Sequence, residues 1–188
     1  IYILDKANHP DKLKFFADTL RSPNLAIRLE VMAIIARGRT GDARKLISSC
    51  LEDDNVQVRM QAARVLPEFD REKAYLDLLK VVKEPTFAKK PPNEREALYA
   101  ALGSTGVAGA ISYFQTILAA KVGLFNKRKV IEDKLLAVAG MAGACTIQTF
   151  KALQEIAADT TQPPEIVHAA KMAGLRTKKV LFGDSKES

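Results

Sequence analysis

The chain has 188 residues, a net charge of +7, two cysteines and no tryptophan, and its 47% hydrophobic content is enough for a folded core. No run of 18 apolar residues occurs and no basic, apolar and small-residue series opens the chain, so neither a membrane-spanning helix nor a signal peptide is expected. The chain opens at Ile1 without Met, as a piece of a longer polypeptide would, which leaves a targeting segment upstream open; the cysteines, Cys50 and Cys145, fit no metal or redox spacing and point to a reducing, cytoplasmic setting.

Apolar spacing predicts a series of helices. The first covers residues 11–20, with Leu13, Phe16 and Leu20 on one face, and the second 25–36. The turn R-G-R-T-G-D at 37–42 leads to a helix over 43–51, and the acidic turn before Val56 leads to one over 56–66. Residues 72–83 follow, with Tyr75, Leu78, Leu79 and Val82 at helical spacing. Further helices are predicted over 93–102, 108–121, 131–141, 147–158 and 165–175. Residues 177–188 turn basic and then polar and are expected to form a tail or linker, with Val180, Leu181 and Phe182 docking on the last helix.

One helix-end pattern returns along the chain: A-A-R-V-L-P at 62–67, L-Y-A-A-L-G-S-T-G at 98–106, L-L-A-V-A-G-M-A-G at 135–143 and A-A-K-M-A-G at 169–174, with a looser copy, V-M-A-I-I-A-R-G, at 31–38. Anchors placed just before these pairs of small residues fall at Arg28, Arg59, Arg95, Glu132 and Ile166, separated by 31, 36, 37 and 34 residues. A period in this range marks stacked helical hairpins, each too small to bury its apolar face alone. The expected fold is therefore all-α: an α-α superhelix of about ten helices in antiparallel pairs.

The glycines at 103, 106, 140, 143 and 174 follow helices, not strands, and lack the Lys-Ser/Thr of a phosphate loop. They are expected either in the left-handed conformation that ends a helix or where helices approach closely. In the acidic turn, Asp53, Asp54 or Asn55 is expected to cap the next helix, with Arg59 reaching the acids of an adjacent repeat. Too few oxygen ligands recur at fixed spacing for a calcium loop, and no metal or cofactor is expected.

Residues 51–66, L-E-D-D-N-V-Q-V-R-M-Q-A-A-R-V-L, resemble the HEAT repeat of bacterial proteins, including those related to phycobilisome lyases. Residues 95–106 and 132–143 match its second half, 27–42 loosely and 166–174 briefly, so the resemblance covers about residues 11–176. It implies a single solenoid over 1–176 acting as a non-catalytic scaffold, whose curved face holds another protein. The chain departs from the pattern at Pro67, which replaces the first glycine, and at Glu132 and Ile166, which replace the anchor Arg and are expected to break an Arg ladder. HEAT-like di-iron hydroxylases need repeated His-Glu pairs, whereas His9 and His168 are not followed by Glu; HEAT-like DNA glycosylases use Trp, which is absent. A bilin-lyase-like enzyme is the weakest of the three functional expectations, and a pocket joining Cys50 or Cys145 to His168 would favour it.

Two connections are longer than the rest, K-E-P-T-F-A-K-K-P-P-N at 83–93 and V-G-L-F-N-K-R-K-V at 122–130. In a regular stack they project from one edge and bring Phe87, Lys89 and Lys90 beside Phe125, Lys127, Arg128 and Lys129. Exposed aromatics next to fixed cations suit an acidic or amphipathic protein segment, or, as the alternative function, the phosphates and bases of a nucleic acid. The competing structural account is that the lysines only solvate the loops while each Phe packs beneath its own. The inner surface is expected to be lined by the second helix of each pair, through Lys12, Lys45, Lys80, Gln115 and Lys151, with Arg37, Arg39 and Arg44 on the opposite edge.

Overall fold

Polar caps and apolar periodicity set the helices of this protein. In the computed structural model, which describes residues 12–123 and 126–183, ten helices run in order: α1 (Lys12–Thr19), α2 (Leu25–Gly38), α3 (Gly41–Ser49), α4 (Val56–Val65), α5 (Arg71–Lys83), α6 (Pro92–Ser104), α7 (Ala108–Leu118), α8 (Lys127–Ala144), α9 (Ile147–Ala158) and α10 (Pro164–Phe182). Short 3-10 turns at Cys50–Glu52, Leu66–Glu68 and Phe87–Lys89 join some of them, and no strand occurs among the described residues. The side chains of Asn24, Thr40, Asn55, Asp70 and Thr146 accept the free amides that open α2, α3, α4, α5 and α9, so Asn55 is the residue of the acidic turn that caps. Prolines at the first positions of α6 and α10 need no amide partner there.

Two helices are longer by more than a turn than the sequence suggests. α8 begins at Lys127, not 131, because Lys-Arg-Lys is a run of good helix formers with no Gly or Pro after Asn126. α10 continues past Leu175 to Phe182 and ends at Gly183, whose φ is 76°. Val180, Leu181 and Phe182 thus belong to the last helix and do not fold back on it; the Phe182 ring lies 5.9 Å from that of Phe150 in α9.

The even-numbered helices carry the recurring signature and pack in a row, α2 on α4, α4 on α6, α6 on α8 and α8 on α10. Successive odd-numbered helices from α3 onward meet only marginally. A stack whose one layer is tight and whose other is splayed curves toward the tight layer, so the even helices form the inner face. This corrects the expectation for Lys12, Lys45, Lys80, Gln115 and Lys151, which sit on the outer, odd-numbered layer.

Small residues cause the tightness. At the crossing of α6 and α8, a methyl group on Gly103 would lie 1.9 Å from the Gly140 carbonyl oxygen, and one on Gly143 would lie 2.2 Å from that of Ala100. Only glycine lets the two backbones touch. Gly106, by contrast, ends its turn in the left-handed region at φ 67°, while Gly174 has only Leu153 Cβ nearby at 3.9 Å. One continuous apolar core runs from Phe16 in α1 to Ala173 in α10.

Candidate functional site: an inner groove bordered by an ion-pair ladder

Each rung of the inner layer joins a basic residue to the following repeat. Arg28 Nη1 donates to both Asp53 carboxylate oxygens at 2.8 and 2.9 Å and to Asp54 Oδ1 at 2.8 Å. Arg59 holds Glu94 side-on, Nε to Oε1 at 2.7 Å and Nη2 to Oε2 at 2.6 Å, and donates through Nη1 to the carbonyls of Asp53 and Asp54. Arg95 Nη2 donates to Glu132 Oε1 at 2.5 Å. Lys134 Nζ donates to Gln162 Oε1 at 2.9 Å, and the Gln162 amide donates to Asp159 Oδ2 at 3.2 Å.

The Arg series ends where the anchor pattern departs, as expected from Glu132 and Ile166. Glu132 stands at an anchor position but accepts from Arg95, and Lys134, two residues on, carries the next rung. The direction of donation is kept, but the last rung is a hydrogen bond to a neutral amide and not an ion pair.

Electrostatics follow the geometry. Burial raises the energy of the Glu94 carboxylate, yet hydrogen bonds from Arg59 and Lys90 outweigh it and hold its pKa below the usual value. Asp54 is drawn down by its hydrogen bond to Arg28. Lys134, 3% exposed, has its pKa lowered by burial, against the pull of Asp159. The Cys50 thiol is pushed up to about 11 by burial and lies 3.3 Å from the Leu46 carbonyl oxygen, where it donates.

The seven residues expected to bind a partner meet different fates. Phe87 is 8% exposed, its ring 5.6 Å from Tyr99, whose hydroxyl lies 3.2 Å from that of Tyr113. It is a packing pin and not an exposed aromatic, because the 3-10 turn at Phe87–Lys89 folds the ring onto α6. Lys90 Nζ donates to Glu94 Oε1 at 3.0 Å as part of the Arg59 rung, and Lys129 pairs with Asp133 at 2.8 Å within α8. Lys89, Lys127 and Arg128 are exposed, the latter two on the first turn of α8 and not in a loop. Phe125 lies outside the described residues. Pro85, Phe87 and Ala88 of the first connection share a cleft of about 400 Å³ with Lys129, Glu132 and Asp133 of α8.

A larger groove, about 610 Å³, runs along the inner face. Its walls come from α6, α8 and α10: Ala100 from the first, Leu135, Leu136, Val138 and Ala139 from the second, Ala173 and Val180 from the third. Leu135 is 37% and Val180 73% exposed, so large apolar side chains face solvent there. Arg95 and Glu132 line this groove and the smaller cleft alike, and their ion pair is a partition between the two. Cys145 also lines the groove, whereas His168 is exposed on α10 and Cys50 is buried at the end of α3; no cysteine is joined to His168 in it. Sequence reading missed the groove because its walls are contributed by residues about one repeat apart, on a face it assigned to the opposite layer.

Among the described residues no group of His, Cys, Asp and Glu is arranged to hold a metal ion, and no helix is long and apolar enough to cross a membrane. No protein-family model matches the chain, and no curated protein matches it significantly.

Proposed function

We propose that the chain is a non-catalytic protein-binding module of the HEAT-repeat kind, in which the inner groove holds a segment of another protein. The observation that carries this reading is the groove itself: about 610 Å³ of largely apolar space, walled by three successive inner helices and flanked by polar rungs. Concave apolar surface with a few fixed polar groups is the usual form of a recognition site. Lys89, Lys127 and Arg128, whose charges stand in solvent, act at the rim, where cations speed encounter with an acidic partner more than they hold it. The cytoplasm, where thiols stay reduced, is the proposed setting.

Replacing Ala139 or Ala142 by Trp fills the groove from α8 while leaving the ladder in place. Affinity purification from the source organism should then lose the partner, with helical content by circular dichroism unchanged. Undiminished capture by both variants refutes the groove as the binding site. Reversal of Lys89, Lys127 and Arg128 to Glu should slow association and leave dissociation nearly unchanged. Binding of duplex DNA whose affinity falls with a log-log salt slope near −0.9 per phosphate, about that of counterion release, would instead support the nucleic-acid reading.

A further inference from the structure

Arg59 and Arg95 occupy the same anchor position in successive repeats, yet they are satisfied very differently. Arg59 grips Glu94 with both edge nitrogens and places Nη1 on two carbonyls. Arg95 is 9% exposed, holds Glu132 by a single bond from Nη2, and its Nε is buried with no hydrogen-bond partner. Arg28 has the same orphaned Nε, but two carboxylates grip it and it lines neither cavity described above. Arg95 lines both. A buried guanidinium donor left unpaired is costly, and such exceptions call for an explanation.

We propose that Arg95 is the carboxylate receptor of the inner groove, taking a Glu or Asp side chain from an amphipathic segment of a partner protein whose aliphatic side chains lie along Leu135, Val138, Ala139 and Val180. This rests on the groove being the protein-binding site. The incoming carboxylate completes at Arg95 the side-on fork that Glu94 already makes at Arg59, a planar pairing to which guanidinium is suited. Glu132 is the resident stand-in: its side chain is 46% exposed against 11% for Arg95, so it can turn out to water when displaced. The buried hydroxyl of Thr177, also without a partner, is a second unsatisfied polar group in the wall of the groove.

Charge selects among occupants. The charged residues in the groove's wall are Arg95 and Arg176 with Glu96 and Glu132, and of these only Arg95 is buried with a nitrogen left unpaired. A segment that carries a carboxylate can pair that nitrogen, whereas a cationic segment cannot. A nucleic acid would bring the charge but leave the apolar wall uncovered.

The test uses fluorescence anisotropy with a labelled amphipathic peptide of about 15 residues, the length at which isolated helices become marginal, carrying Glu beside a Leu stripe. A version with Gln for every Glu and a labelled DNA duplex serve as the other probes. The Glu peptide should bind about tenfold more tightly than the Gln peptide, as charge-assisted bonds exceed neutral ones. Arg95→Lys, which keeps the charge but loses the fork, should remove most of that preference. Glu132→Gln should tighten the Glu peptide by about threefold or more by freeing Arg95, an outcome that a purely structural rung would not give. Equal binding of the two peptides, both blocked by Ala139→Trp, overturns the role of Arg95 and leaves the groove standing. Binding that Ala139→Trp does not affect overturns the groove and the proposal together. Failure of the wild-type chain to bind either peptide, or preference for the duplex, also overturns the proposal.

Discussion

The crossing of α6 and α8 gives a prediction whose sign, not only its size, depends on the tertiary structure. A methyl group added at Gly103 would sit 1.9 Å from Gly140 O, 2.9 Å from Gly140 C and 3.0 Å from Ala144 N, all of them backbone. Carbon and carbonyl oxygen rest no closer than about 3.3 Å even in favourable C–H···O contacts, so the helices must part by roughly 1.4 Å. No rotamer relieves this. Overpacking of a close-packed core costs about 1–3 kcal/mol and more when backbone must move, against a gain of about 1 kcal/mol from the better helix propensity of Ala. Taking about 3 kcal/mol of strain, Gly103→Ala should lose about 2 kcal/mol net, a fall of roughly 4–8 °C in midpoint for a chain of this size. Gly174→Ala is the control: it too lies inside a helix, but its nearest neighbour would be Leu153 Cβ at 3.9 Å, an ordinary contact. It should stabilise by about 0.4–1 kcal/mol, chiefly by restricting the unfolded chain. Thermal and urea unfolding followed by circular dichroism decide the matter. A stabilising Gly103→Ala, or shifts of the same sign for both variants, refutes the backbone-contact argument.

Two further outcomes follow from the buried ionisable groups. Glu94 has a depressed pKa in the folded state, so its contribution is present above the unfolded value of about 4.3 and is lost as pH falls through the folded one. Melting temperatures should therefore drop below about pH 4; Glu94→Gln should weaken that dependence and cost about 3 kcal/mol at neutral pH, since it leaves Arg59 without its carboxylate. Equal stability of this variant and wild type near pH 7 would show that the rung is not stabilising. Cys145, half-buried at the groove, should react with a thiol reagent at about pH 8 well before Cys50, which is buried and pushed up to about 11. The two should become alike in urea, and equal rates in the native state would contradict the burial of Cys50.

The sequence by itself determined the helices and their repetition. Apolar spacing is a property of neighbouring residues, and caps such as Asn55 and Thr146 act within three positions of themselves, so both are written locally. Even there the ends of α8 and α10 were underestimated, because Lys-Arg-Lys and Arg-Thr-Lys-Lys read as loop chemistry although nothing in them stops a helix. Tertiary structure alone decided which layer faces inward, for that depends on how near two backbones come, and Gly103 and Gly143 show their purpose only when Gly140 and Ala100 stand opposite them. The same holds for charge. Lys90 and Lys134 look like surface lysines in the chain, but Lys90 folds onto Glu94 four residues on, which Arg59 of the preceding repeat also grips, and Gln162 claims Lys134 across the stack; Phe87 looks like an exposed anchor until Tyr99 covers it. The groove and its half-satisfied Arg95 belong to this second class, because their walls come from helices about one repeat apart whose spacing is set by side-chain volume and not by local pattern.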